Sequence, residues 1–374
     1  EGPNGNDGIT PEQAAEVAPY LEKAGADMIA VSAGGTIYHQ DDIMSGDVHR
    51  AEGWKVPAAT MVKNAVSVPV VATGSIRHPD FVDQIINDGK CDMVGMGRGI
   101  LAEREWVKKC AEGREDELRY CISCMNCFNV NPFSYEQTNC SVNPFALREG
   151  SKRPIVQDGD GRLVAVIGAG PAGLSCAYYL AVKGYPVTVF EKEDKLGGML
   201  TLGIPGFRLD KAVVNAEIDI LRELGVEFKT GVEVGKDVSL PQLRTEGYKA
   251  FYLGIGASRG TKLGVPGEEL AGVFTGIDFL RDVNLEKPVS IGKRVAVVGG
   301  GNVAIDVART ALRLGAEDVT IVYRRSRDEM PAAADEIAEA EEEGVRFMYL
   351  AAPVEVLGSG KVSGMKVEVI ELGE

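Results

Sequence analysis

Four cysteines fall within twenty residues: Cys121, Cys124 and Cys127 in the run CISCMNC, and Cys140 after a gap of twelve. Three thiolates on a tight loop with one returning ligand form the donor pattern of a [4Fe–4S] cluster. Zinc is the alternative, although a zinc ribbon usually brings a second CxxC and Cys140 stands alone before Ser141-Val142-Asn143-Pro144. The total of seven cysteines is odd, and clustering without a secretory leader favours metal over disulfides. The scattered Cys91, Cys110 and Cys176 read as small buried hydrophobes.

Two glycine-rich turns carry a different chemistry. Gly168, Gly170 and Gly173 in GAGPAG sit between the apolar run LVAVI and the helical AGLSCAYYLAVKG. A tight turn, a close backbone approach and a helix N-terminus suit a pyrophosphate, and Glu191 closes the next strand where an acid would bind ribose hydroxyls. Gly299, Gly301 and Ala304 in GGGNVA repeat the device, but the following strand ends in Tyr323-Arg324-Arg325. Cations there suit a 2′-phosphate that an acid would repel, so NADPH is favoured and NADH remains the alternative. Gly74-Ser75-Ile76-Arg77 and Gly97-Arg98-Gly99 are glycine turns with a cation, a pattern that grips phosphate at the ends of barrel strands. His39, in GGTIYHQ, falls past an earlier strand and reads either as a proton donor or polarising group or as a structural histidine.

The elements that must position these residues alternate. TPEQAAEVAPYLEKAGA, PAATMVKNAV and FVDQIINDGK read as helices, each followed by a strand in DMIAVSAGG, VPVVATGSI or CDMVGMGRG. Three such units cannot close an eight-stranded barrel, which needs about 250 residues. With Glu at position 1 and a strand-like KVSGMKVEVIELGE at the end, the sequence reads as an internal fragment. REGSKRPIVQDGDG reads as a linker, and two βαβ units follow. The expected class is α/β: the C-terminal part of a (β/α)8 barrel over 1–115, a cysteine segment and linker over 116–160, and incomplete Rossmann-like domains over 161–290 and 291–374.

Composition narrows the partners. Apolar residues make up 45% and charged residues 25%, ordinary for a globular chain. Forty basic against 55 acidic residues give a net charge of −15, which argues against nucleic acid. No run of about 18 apolar residues would cross a membrane, and EGPNGNDG resembles no signal peptide, so the expectation is a cytoplasmic protein. A small molecule is the expected partner; a homo-oligomer stays open.

VPVVATGSIR, DMVGMGRGILAE and CISCMNC…CSVNP make residues 5–145 resemble the iron–sulfur branch of the old yellow enzyme superfamily, which contains 2,4-dienoyl-CoA reductase, 2-enoate reductase and trimethylamine dehydrogenase. The resemblance implies FMN on Gly74, Ser75, Gly97 and Arg98, a [4Fe–4S] cluster on Cys121, Cys124, Cys127 and Cys140, and a catalytic role for His39, one residue offset from the family histidine. The family's tyrosine acid would lie upstream of residue 1.

From about residue 160, GAGPAGLSCAYYLAVKGYPVTVFEK, IPGFRLDK, GVPGEELAGVFTGIDFL and VYRRSRDEMPA resemble the small subunit of glutamate synthase and related NADPH-dependent flavoproteins. That implies FAD on Gly168, Gly170, Gly173, Glu191 and Gly198, and NADPH on Gly299, Gly301, Asn302, Arg324 and Arg325. In that family a later segment completes the FAD domain, so the fragment alone is expected to hold FAD poorly. Together the resemblances imply a path from NADPH through FAD and the cluster to FMN, ending in reduction of an activated C=C bond of an enoate or an enoyl- or dienoyl-CoA. An amine dehydrogenase feeding an acceptor, and an electron-transfer module for a partner protein, are the alternatives.

Overall fold

The computed structural model describes residues 9–33, 51–127, 138–147 and 155–371. The chain divides into two compact units, Glu1–Pro154 and Ile155–Glu374. His39 lies outside the described residues.

In the first unit, helix and strand alternate as expected: α1 (Pro11–Lys23), β1 (Ile29–Val31), α2 (Val56–Ala65), β2 (Val70–Ala72), α3 (Pro79–Asn87) and β3 (Met93–Val94), followed by the short α4 (Arg98–Ala102) and α5 (Trp106–Ala111). Thr10 and Gln13 form a reciprocal capping box at the start of α1, satisfying donors that the first turn leaves free. The strands pair in parallel in the order β1-β2-β3, with Ile29 beside Val70 and Val71 beside Met93. Val70 and Ala72 are fully buried and pack with Ala59, Val62 and Ile85 from the flanking helices. Parallel pairing puts all the C-terminal strand ends on one edge, so Ser32, Thr73-Gly74-Ser75 and Gly95-Met96-Gly97 emerge together.

The second unit holds two parallel sheets and a hairpin. Its elements are β4 (Val164–Ile167), α6 (Pro171–Val182), β5 (Val187–Phe190), α7 (Met199–Leu202), α8 (Lys211–Glu223), β6 (Glu227–Lys229), α9 (Leu240–Thr245), β7 (Ala250–Leu253) and α10 (Gly276–Asn284). They continue as β8 (Arg294–Val298), α11 (Asn302–Arg313), β9 (Asp318–Val322), α12 (Ala334–Glu342), β10 (Arg346–Met348), β11 (Ala351–Ser359) and β12 (Lys361–Val369). The first sheet runs β6-β5-β4-β7 and the second β10-β9-β8; β11 and β12 pair antiparallel.

The first sheet is covered on both faces, as alternation along its strands requires. Val166 and Val189 join a core with Ala177 of α6 and Val214 and Ile218 of α8, while Ala165 and Phe190 on the other face meet Leu243 and Tyr248. The second sheet packs Val319 and Ile321 against Ile305, Ala308 and Ala311 of α11 and Ile337 and Ala340 of α12. Among the described residues no helix is long and apolar enough to cross a membrane.

Candidate functional site

At the strand ends of the first unit the backbone is crowded. Gly74 has φ +117°, and a Cβ there would fall 2.9 Å from Lys55 Cγ, so only glycine fits. Ser75 follows at φ 54°, and Ser123 and Met125 in the cysteine loop also have positive φ. These three belong to the seven non-glycine residues with positive φ among those described, so strained backbone concentrates around this site.

Arg98 joins the two motifs. Its guanidinium donates to Ser75 Oγ at 3.0 Å and to Met125 Sδ at 2.9 Å. It lines one pocket with Cys121, Cys124, Cys127, Cys140, Leu101 and Ile122. Arg77 makes a second tie, donating to the Cys121 carbonyl at 3.0 Å.

The thiols share this pocket without closing on a point: among the described residues no group of three or more His, Cys, Asp or Glu stands ready to hold a single ion. Burial pushes the Cys127 and Cys140 thiols up, and neighbouring thiols add to it. The backbone N–H groups of Val142 and Asn143 act the other way on Cys140, and Ser123 N–H lies 3.4 Å from Cys121 Sγ. Crowded thiols with amide donors on sulfur form a donor set that a bridging cluster, carrying its own positive metal charge, would stabilise in the thiolate form.

Two residues of this site escaped the sequence reading. Lys55 is 2% exposed, donates to Ser32 Oγ at 3.3 Å and lies 4.8 Å from the Trp54 ring centre. Burial, then the charge of Arg98, lowers its pKa to about 8. A lysine at the N-cap of α2 opposes the helix dipole, and that misplacement was the available signal. Glu52 accepts from the backbone N–H groups of Arg77 and His78 at 2.7 and 2.8 Å and from the His78 ring at 2.5 Å, pinning the segment that follows Ser75.

In the second unit the first glycine turn is a backbone-on-backbone contact. A Cβ on Gly173 would stand 1.9 Å from the Gly168 carbonyl, one on Gly168 2.4 Å from the Gly254 carbonyl, and one on Gly198 2.7 Å from Gly170 Cα. Gly170 caps α6, and a Cβ there would meet nothing nearer than 3.9 Å, leaving its outer side open. The buried Glu191 carboxylate accepts from Ala169 N–H at 2.7 Å and Glu193 N–H at 3.0 Å. It thus braces the turn itself from the end of β5.

The second turn is looser. Ala304 stands at the third glycine position, and a Cβ on Gly299 would be 3.5 Å from it, an ordinary contact. Gly301 caps α11. Asn302 Oδ1 accepts from Ala333 N–H at 3.1 Å, tying the turn to the start of α12. Tyr323 turns its ring onto Gly300 and donates to the Glu329 carbonyl at 2.9 Å. Arg324 and Arg325 are exposed, and neither guanidinium has an acidic partner among the described residues, so both remain available to an anion.

Comparison with known proteins follows these two units. Residues 4–117 match the NADH:flavin oxidoreductase / NADH oxidase family, and residues 162–373 match the pyridine nucleotide-disulphide oxidoreductase family. The beta subunit of NADP(+)-dependent formate dehydrogenase from Moorella thermoacetica is 45% identical over 247 residues, 63% of this chain and 34% of that protein. The glutamate synthase [NADPH] small chain of Halomonas elongata is 45% identical over 221 residues, 56% of this chain and 47% of that one. This chain therefore spans a third to a half of these relatives' lengths. In three dimensions the structure of a 2-naphthoyl-CoA reductase complex matches 97% of this chain and 55% of its own, with a TM-score of 0.79 and 23% identity, which establishes a shared fold. With the second match covering more than half its residues, the chain belongs to the pyridine nucleotide-disulphide oxidoreductase family.

Proposed function

We propose that this chain is part of an NADPH-dependent flavin and iron–sulfur oxidoreductase that reduces an activated C=C bond, of the enoate or enoyl- or dienoyl-CoA type. The observation that carries the reading is Arg98, whose guanidinium contacts Ser75 of the phosphate-type loop and lines the pocket of the four cysteines. One side chain thus touches both proposed redox sites of the first unit. When bound, NADPH supplies two electrons as a hydride, the flavins accept and release them, and the cluster passes them singly.

The chemistry of the donor sets supports this reading. Gly74, Ser75, Gly97 and Arg98 would hold FMN phosphate, with Lys55 adding a buried cation, and Cys121, Cys124, Cys127 and Cys140 would ligate the cluster. Gly168, Gly170, Gly173, Glu191 and Gly198 would hold FAD at a turn where added side chains collide with backbone. Gly299, Gly301 and Asn302 would hold NADPH, with Arg324 and Arg325 on its 2′-phosphate. His39 would polarise the substrate carbonyl or donate a proton. The fold shared with a 2-naphthoyl-CoA reductase is compatible with the C=C assignment.

The test uses the full-length protein. Iron and acid-labile sulfide near four each per chain, flavin bleaching by NADPH under anaerobic conditions, and rapid reoxidation by an enoate or enoyl thioester are the expected results. Bleaching without reoxidation by any alkene would replace the reductase with an electron-transfer module for a partner protein. No reduction by NADPH would revive an amine dehydrogenase running outward.

A further inference from the structure

The segment between α7 and α8 links the two glycine turns of the second unit. At one end, Gly198 caps α7 and is packed against Gly170 of the first turn. Lys211 then donates to the carbonyls of Leu200 at 2.8 Å and Ile204 at 2.5 Å, closing the segment into a fixed loop. Within that loop, Arg208 Nη1 donates to both carboxylate oxygens of Asp306 at 2.9 Å, and Nη2 donates to Glu336. Asp306 lies on α11, the helix that opens at Gly301 of the second turn, and Glu336 lies on α12, whose preceding residue Ala333 is held by Asn302. Phe207, beside Arg208, lies under the guanidinium groups of Arg313 and Arg309, 3.9 and 4.9 Å from its ring centre.

Stability is a weak reason for this choice of residues. Asp306 is 5% exposed, the side chains of Arg208 and Glu336 are 23% and 13% exposed, and Glu336 Oε2 is buried without a hydrogen-bond partner. Buried ion pairs are often matched or bettered by apolar residues of similar volume, and an unpartnered buried oxygen is a cost. What a chelated carboxylate provides and an apolar contact lacks is direction.

We infer that Arg208 is a positioning residue for hydride transfer: through Asp306 and Glu336 it sets the register of the NADPH turn against the FAD turn. The inference rests on the NADPH-to-FAD reading above. When bound, NADPH would give up a hydride by breaking a nicotinamide C–H bond and FAD would take it with both electrons, leaving NADP+ and reduced flavin with no other oxidant needed. Register matters because a displacement of about 1 Å between reacting groups can cost on the order of a hundredfold in rate.

The test is anaerobic stopped-flow reduction of the full-length holoenzyme by NADPH. Arg208→Gln is expected to lower the limiting rate of flavin bleaching at least ~10-fold, with the NADPH dissociation constant within ~3-fold and FAD content unchanged. Arg208→Lys, which keeps the charge but loses the fork, should fall between. Glu336→Gln, a milder change that leaves the Asp306 contact, should cost ~2- to 5-fold if Arg208→Gln does not fold. Hydrogen exchange supplies a readout apart from turnover: Arg208→Gln should speed exchange in 203–210 and in α11 while β4 and β5 stay protected. Unchanged limiting rates in the variants, or a rate loss that only tracks lost FAD, overturns the inference. A wild-type flavin that NADPH cannot reduce overturns the underlying reading and this inference with it.

Discussion

Substituting Gly173 by alanine tests the claim that the first glycine turn is set by backbone contact. The new Cβ would stand 1.9 Å from the Gly168 carbonyl oxygen, whereas ordinary contact begins at 3.4 Å. Helix and turn must therefore separate by roughly 1.5 Å, the difference of those distances, and both partners are main chain that cannot swing aside. Alanine gains about 1 kcal/mol in helix propensity over glycine, while overpacking of this severity costs about 3 kcal/mol or more. The net loss of about 2 kcal/mol, expressed where the pyrophosphate would lie, corresponds to roughly 30-fold weaker dinucleotide binding. The assay is FAD retention and flavin dissociation in the full-length protein, with its thermal midpoint. Gly206→Ala is the matched control, since a Cβ there meets nothing within 4 Å. If Gly173→Ala binds flavin and melts like the Gly206 variant, the close-approach reasoning fails. In the second turn, where alanine already stands, Ala304→Gly should cost only about 1 kcal/mol of helix stability and gain no affinity.

Three further outcomes follow from charges. Replacing Arg324 and Arg325 by alanine should leave the thermal midpoint unchanged, because both are exposed and unpaired among the described residues, yet raise KM for NADPH by about 10-fold or more while KM for NADH moves little. Burial pushes the Glu343 carboxyl up, but the hydrogen bonds and charges of Arg313 and Arg309 together outweigh it and hold the group down to about 2. A lowered carboxyl contributes stability above its unfolded value near 4.5 that is lost as pH falls towards 2, so Glu343→Gln should flatten the fall of the thermal midpoint below pH 4.5. Lys55, with a pKa of about 8, loses its charge above that pH. Flavin retention at the barrel site should fall as pH rises through 8, a step that Lys55→Gln removes. The burial cost of the charged lysine is present below pH 8 and is relieved between about 8 and 10.5, so fold stability moves in the opposite direction.

What sequence could reveal here follows the range of the forces involved. Glycine spacing was informative because a backbone approach of 2 to 3 Å admits no side chain, so the residue type itself records the geometry at Gly168, Gly173 and Gly198. The cysteine spacing placed four thiols close along the chain, and the structure gathers them around one pocket. Parallel sheets were legible in the recurring helix-then-strand units, and the structure bears them out. Contacts between distant residues were not legible. Arg208 and Asp306 are 98 positions apart, and neither residue type at its own position announces a partner. Burial of Lys55 depends on Gly74, Ser32 and Arg98 arriving at one strand edge, which a linear pattern does not encode. Glu191 was found by its distance from the glycine turn, but its two backbone bonds required the fold.

The hairpin of β11 and β12, a sheet of its own after the second sheet, also holds an earlier part of the chain. Val356 N–H donates to the Pro266 carbonyl at 2.8 Å, Val362 N–H to the Ala271 carbonyl at 2.9 Å, and Ala271 N–H to the Gly360 carbonyl at 3.2 Å. The stretch 266–271, by which the chain passes from the first sheet to the second, is thus laced to the hairpin that follows the second sheet. Because each of these bonds joins main chain to main chain, the clasp rests on the path of the backbone, and at Gly267, where a Cβ would stand 2.0 Å from the Val356 carbonyl, it admits no side chain.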